Sequence, residues 1–135
     1  MLKAKDLMTE HVFSVHENTP IMEVIEVMAK EEITGIPVIN DNDQLVGILS
    51  EKDILHLFIM PYETIADKSV HHFMTQPAIS FDKEESLKDI CICLFNSHFR
   101  SLPVTSDGKL VGILSRCDFI KYILNTIIEP AKNHS

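Results

Sequence analysis

Positive charge is scarce in this chain. Twelve Lys and Arg stand against twenty Asp and Glu, a net charge of -8 over 135 residues. The few cations are scattered, so no basic face of the kind that grips a phosphate backbone is formed, which speaks against nucleic acid as a partner. Long apolar runs are missing as well. Stretches such as Ile54–Met60 and Ile90–Phe95 are far shorter than the roughly 20 residues that cross a bilayer. The opening Met-Leu-Lys-Ala-Lys-Asp lacks the apolar centre of a signal peptide, so a cytoplasmic protein without membrane association is expected. Cysteines number three, with no CxxC. Cys91 and Cys93 lie two apart in a helical pattern, about 200° around the axis, and neither chelate a metal together nor pair. All three read as small buried hydrophobes of a reducing compartment. The histidines (His11, His16, His56, His71, His72, His98 and His134) show no HxxxH or HExxH spacing, so no metal site is expected. GxSxG, GxGxxG and the P-loop are absent, and Ser50 and Ser115 have no patterned His partner. No catalytic residue is assigned and no enzyme is expected.

What is present is an apolar content of 45%, enough to fill a core, arranged in a duplication. Leu45-Val46-Gly47-Ile48-Leu49-Ser50 recurs identically as Leu110-Val111-Gly112-Ile113-Leu114-Ser115. Met8-Thr9 returns as Met74-Thr75, Ser14 as Ser80, Pro37-Val38 as Pro103-Val104, and Asp53 as Asp118. The offset drops from 66 to 65 across the Asp41 and Asp107 turns, so the second copy has one residue fewer there. Each copy predicts a strand (Val12–Val15, Ala78–Phe81) followed by a helix. Its core face is Ile21, Val24, Ile25 and Met28 in one copy and Leu87, Ile90, Cys91 and Leu94 in the other, at i, i+3, i+4, i+7. Thr19-Pro20 reads as the N-cap and first residue of the earlier helix. A hairpin follows, Ile36–Asn40 with Leu45–Leu49, and Leu102–Thr105 with Leu110–Leu114. Helices Glu51–Met60 and Arg116–Ile128 close the copies. The fold class is α+β: two β-α-β-β-α repeats, at residues 4–60 and 70–128, joined by a linker at 61–69 and ending in a tail at 129–135. Neither half buries enough alone, so the halves are expected to pack with pseudo-two-fold symmetry.

The pattern Met-Thr-x-x-Val, Gly-Ile-Pro-Val-Ile and Leu-Val-Gly-Ile-Leu-Ser-x-x-Asp, met twice in the same order, resembles a CBS (cystathionine β-synthase) domain, and the tandem resembles a CBS pair. The resemblance implies a regulatory module, standing alone, that holds an adenosyl ligand such as AMP, ADP or ATP in the cleft between its repeats and signals to a partner protein. NADH and S-adenosylmethionine belong to the same ligand class, and no cofactor is required. A homodimer through the closing helices is also implied, since Ile54, Leu55, Leu57, Phe58 and Ile59 with Phe119, Ile120, Ile123, Leu124, Ile127 and Ile128 exceed what a small core buries. The alternative is an interaction or dimerisation module without a ligand.

The residues themselves leave two readings of each Ser-x-x-Asp. Ser50 and Ser115 sit where a strand gives way to a helix and serve as N-caps with or without a ligand, and Asp53 and Asp118 favour the helix dipole from the first turn. A carboxylate also accepts from two adjacent ribose hydroxyls in a charge-assisted pair, which is the role the family implies. The family further implies an adenine pocket from Thr9, Val12 and Phe13 with Thr34 and Gly35, and from Thr75, Ala78 and Ile79 with Arg100 and Ser101. Its clefts are crossed, so that the first copy's strand serves Asp118 and the second copy's strand Asp53. Plain core packing is the other reading of Val12, Phe13 and Ile79. The copies differ in charge: His98, Arg100 and Arg116 replace Glu32, Thr34 and Glu51. Arg100 matches the family's phosphate-directed position and suits bidentate phosphate contact, or else is a solvated charge. Thr34 departs from that position, and one dominant nucleotide site is expected.

Overall fold

A computed structural model describes residues 1–97 and 99–128. His98, the tail at 129–135 and His134 within it lie outside the described residues.

The chain forms two compact units. The repeat-one unit comprises Phe13–Ile79 with Gly108–Leu110, and the repeat-two unit comprises, among the described residues, Met1–Val12, Ser80–Asp107 and Val111–Ile128. Each unit therefore takes its lead-in segment from the other copy of the sequence.

In the repeat-one unit, β1 (Val15–His16), β2 (Gly35–Ile39) and β3 (Leu45–Ser50) form a sheet in that order. β1 runs parallel to β2 with Val15 opposite Val38, and β2 pairs antiparallel with β3 from Gly35–Ser50 to Ile39–Leu45. The hairpin loop holds three residues: Asp43 is left-handed at φ 62°, and the Asn40 carboxamide oxygen accepts from the N–H groups of Asn42 and Gln44 at 2.9 and 3.0 Å. Helices α2 (Ile21–Glu31) and α3 (Glu51–Phe58) cover the sheet, and a short α4 spans Tyr62–Ile65. Ile21, Val24, Met28, Ile36, Val38, Leu49, Leu57, Ile65, Val70 and Met74 make the core.

The repeat-two unit repeats this plan. A first turn of helix, α1 (Ala4–Leu7), precedes β4 (Phe81–Asp82), α5 (Leu87–Asn96), β5 (Ser101–Ser106), β6 (Lys109–Ser115, in this unit from Val111) and α6 (Arg116–Tyr122), which continues in wider π-type turns over Ile123–Ile128. β4 is parallel to β5, with Phe81 opposite Val104. The loop is shorter here, Asp107 and Gly108 both having positive φ (52° and 81°), the backbone of a two-residue hairpin turn. Ala4, Leu87, Ile90, Leu94, Leu102, Val104 and Leu114 make its core.

Several local expectations are corrected. The strands begin at Val15 and Phe81, three residues later than their patterns suggest, so that only the last residue of each expected strand lies on a ladder. Thr19 does not cap α2. Pro20 occupies the cap position, and the Ile21 N–H donates to the Lys68 carbonyl at 2.9 Å, so backbone from the expected linker satisfies that donor. The stretch expected as a linker contributes α4 and the buried Ile65. Cys91 and Cys117 are exposed and Cys93 half-buried, so buried packing fails for two of the three; Cys91 lies beyond the edge of a face narrower than its i+4 spacing suggests.

The lead-in segments dock by matched bonds. Ala4 N–H donates to Glu85 O, Lys5 N–H to Lys83 O, and Leu87 N–H to Leu2 O. Sixty-six residues on, or back, Val70 N–H donates to Thr19 O, His71 N–H to Glu17 O, and Ile21 N–H to Lys68 O. Thr9 then bridges Ile113, and Thr75 bridges Ile48. Two glycines make room for this. A Cβ on Gly112 would stand 2.5 Å from Met8 Sδ and 3.1 Å from Thr9 O, and one on Gly47 would stand 2.6 Å from Met74 Sδ and 3.0 Å from Thr75 O. The recurring Met-Thr and the recurring glycine are thus two sides of one contact.

Candidate functional site

The docking places a threonine on each Ser-x-x-Asp. In the repeat-one unit, β3 ends at Ser50 and α3 begins at Glu51. The Asp53 carboxylate reaches back to accept from Ser50 N–H at 2.9 Å and Ser50 Oγ at 3.0 Å, and Asp53 N–H donates to Ser50 Oγ at 3.4 Å. Thr75 Oγ1 donates to both carboxylate oxygens at 3.1 Å. In the repeat-two unit, Asp118 Oδ2 accepts from Ser115 N–H at 2.8 Å and Ser115 Oγ at 3.1 Å, while Thr9 Oγ1 donates to Oδ1 at 3.1 Å. The Ser-Asp part is a reciprocal helix cap that any strand–helix junction could use. The threonine is an addition from a distant segment, and it points a hydroxyl at an accepting carboxylate that stays half-exposed.

Around these clusters the expected residues separate by unit. Thr9, Val12, Arg100, Ser101, Ser115 and Asp118 belong to the repeat-two unit; Phe13, Thr34, Gly35, Ser50, Asp53, Thr75, Ala78 and Ile79 belong to the repeat-one unit. Thr9 and Val12 thus fall in one unit with the second copy's Arg100 and Ser101, and Thr75, Ala78 and Ile79 in one unit with the first copy's Thr34 and Gly35. Thr9 stands on Asp118 and Thr75 on Asp53. Phe13 and Ile79 are 51% and 49% exposed, which removes core packing as their role and leaves both as apolar surface of the repeat-one unit.

Arg116 has a structural role. Its guanidinium donates to the carbonyls of Leu94 and Ser97 at 3.5 and 3.4 Å, closing the C-terminal end of α5, where a cation meets the negative end of the helix. Its neighbour Arg100 is tied through the backbone, Arg116 N–H donating to Arg100 O at 3.2 Å, which holds the Arg100 backbone against the first turn of α6. An open cavity of about 310 Å³ lies along Cys91, Leu94, Phe95, Arg116 and Phe119, and none of the cluster residues lines it. Among the described residues no group of three His, Cys, Asp or Glu side chains is arranged to hold a metal ion, and no helix is long and apolar enough to cross a membrane.

What sequence reasoning missed is the pairing of Gly47 with Met74-Thr75 and of Gly112 with Met8-Thr9. The signal was available, because both members of each pair recur unchanged.

The CBS domain profile matches residues 4–59 and 70–125. The crystal structure of CBSX2 from Arabidopsis thaliana in complex with AMP is 32% identical, covers 92% of this chain and 97% of that chain, and superposes with a TM-score of 0.82. The protein MJ1225 of Methanocaldococcus jannaschii is 32% identical over 119 residues, 88% of this chain and 42% of that protein. The CBS domain pair of MJ0100, in complex with 5'-methylthioadenosine and S-adenosyl-L-methionine, shares the fold at 23% identity over 91% of this chain and 96% of that chain, with a TM-score of 0.73. The chain spans only 42% and 40% of the length of the first curated relatives it matches. With both repeats matched and the fold shared throughout, the chain belongs to the CBS domain family and is a tandem CBS pair.

Proposed function

We propose that this CBS pair is a regulatory module that binds an adenosyl ligand at its Thr–Ser–Asp clusters and passes its bound state to a partner protein. The carrying observation is the cluster itself, built twice from the same residue types with the same donors on the carboxylate. The donors fix the direction of a carboxylate that stays half-exposed, and a ribose diol takes the same role as the threonine hydroxyl it would displace or share with. The exposed Phe13 and Ile79 offer apolar surface for a base, and Arg100 offers a cation for phosphate in the repeat-two unit. The AMP bound by CBSX2 supports this ligand class. The reading includes no chemistry on the ligand.

Calorimetric titration with adenosine and AMP tests it. Asp→Ala at the occupied cluster, Asp118 or Asp53, weakens both ligands by about 1.5–3 kcal/mol, the worth of a charge-assisted hydrogen bond. Arg100→Ala weakens AMP but not adenosine, and the loss shrinks at high salt. Wild-type protein that binds neither ligand defeats this reading and promotes the second one, an interaction module.

That second reading shares one element with the first, self-association. Leu55, Phe58 and Ile59 on and just after α3, and Ile120, Ile123, Leu124 and Ile127 along α6 and its extension, are 44–87% exposed, more apolar surface than a monomer ordinarily leaves in water. We propose a homodimer closed through these helices. Light scattering gives twice the 15.3 kDa chain mass; the monomer mass at micromolar concentration ends the proposal.

A further inference from the structure

The two clusters are alike in their hydroxyls and carboxylates and unlike in charge, and that difference bears on which adenosyl ligand each one takes. This inference rests on the functional reading above. In the repeat-one unit, the chain leading into β2 carries Glu31 and Glu32 before Thr34, and the first turn of α3 carries Glu51 beside Asp53, with Lys30 and Lys52 as the cations of these two segments. The corresponding stretches of the repeat-two unit carry Arg100 and Arg116 with Asp118 as their carboxylate. Register fixes this neighbourhood. Gly35 pairs with Ser50, so Thr34 stands next to the first turn of α3, and Arg116 N–H donates to Arg100 O at the matching place. Glu32, held left-handed at φ 54° with its N–H on Met28 O, turns the chain toward that end of the sheet.

We infer that the Asp53 cluster takes an adenosyl ligand without a phosphate, a neutral nucleoside or a sulfonium nucleoside, while phosphorylated adenosine goes to the Asp118 cluster. The hydroxyl–carboxylate set recognises the ribose in both places, and the acidic side chains only set what is tolerated beyond it. A phosphate dianion at the Asp53 cluster meets the net negative charge of these two segments and is repelled, whereas a ligand bearing no charge, or a positive one, meets no such penalty.

The test isolates one cluster by Asp118→Asn, which keeps an acceptor for the Ser115 N–H. Adenosine, S-adenosylmethionine and AMP are then titrated into this variant and into the wild type. In Asp118→Asn, adenosine and S-adenosylmethionine bind and AMP binds at least tenfold more weakly than adenosine, a gap that narrows at high salt. Adding Glu31→Gln, Glu32→Gln and Glu51→Gln closes the gap. Methyl resonances of the wild type give the same answer without the Asp118 substitution: adenosine shifts Ile48 and Ile79, and AMP shifts Ile113 first. AMP binding as tightly as adenosine in Asp118→Asn, or AMP shifting Ile48 first in the wild type, overturns the inference alone. Wild type that binds none of the three ligands removes the functional reading and the inference with it.

Discussion

The two repeats close equivalent helices by different means. In the first, α2 ends on Glu32 in the left-handed conformation, whose N–H caps the Met28 carbonyl. In the second, α5 ends on Ser97 in extended backbone, and Arg116 from the following helix supplies the donors instead. The hairpins differ in the same way, three loop residues with an Asn40 side-chain turn against a two-residue Asp107-Gly108 turn. So do the straps: Lys3 and Lys5 both pair with Glu84 at 2.7 and 2.8 Å, whereas in the matching strap His71 stands near Glu17 at 3.6 Å. Where backbone meets backbone, as at Gly47, Gly112 and the Met-Thr pairs, the letters stayed identical. At helix ends, loops and surface clasps the requirement is only that a polar group be met, and several side chains meet it.

The largest effect should come from the identical positions. Gly112→Ala and Gly47→Ala each lower stability by about 1–3 kcal/mol, because the new Cβ overlaps a methionine and presses on a threonine carbonyl that cannot leave. Denaturant melts check this, and a double-mutant cycle of Gly112→Ala with Met8→Ala sharpens it. Non-additivity ties the N-terminal segment to β6, and strict additivity breaks the assignment of that contact. A smaller, one-sided effect is expected at the helix ends. Arg116→Met lowers stability by about 1 kcal/mol through loss of the α5 closure, while Glu51→Gln at the matching position stays within about 0.5 kcal/mol. Equal losses at both positions would mean that the helix ends are not closed differently.

The smallest effect belongs to the clasp. Hydrogen bonds from Lys3 and Lys5 hold the exposed Glu84 carboxyl down at about 2, from an ordinary value of 4.5. A depressed carboxyl stabilises the fold above its unfolded value and loses that contribution as pH falls through the folded one. Glu84→Gln should therefore lower the melting temperature slightly at pH 7 and less as pH falls from 4.5 toward 2, with the difference fading in high salt. A deficit that persists unchanged at pH 2, or that ignores salt, shows that the loss is not electrostatic.

Much of the fold could be read from residue order. The duplication, the β-α-β-β-α unit and the place of each Ser-x-x-Asp at a strand–helix junction follow from local periodicity and capping chemistry, which depend on neighbours a few residues away. The one-residue difference between the hairpins was visible in the change of offset, and the loops carry it. The role of Arg116 was not legible, because a charge seen in sequence has no direction; only packing aims it at the α5 carbonyls. Cys91 was placed in the core because a four-residue spacing reaches the edge of an apolar stripe, and whether an edge is covered depends on what packs there.

The lead-in segments mark the boundary between the two kinds of knowledge. By itself the sequence determined that Met-Thr, Gly and Ser-x-x-Asp occur twice, since identity across copies is a property of the letters. Which Thr meets which Asp was decided by tertiary structure: Thr9 and Asp118 are 109 residues apart, Thr75 and Asp53 only 22. Each threonine docks on the other copy because backbone bonds along a strap form with whichever edge the folded chain leaves open to it, and no local propensity encodes that choice.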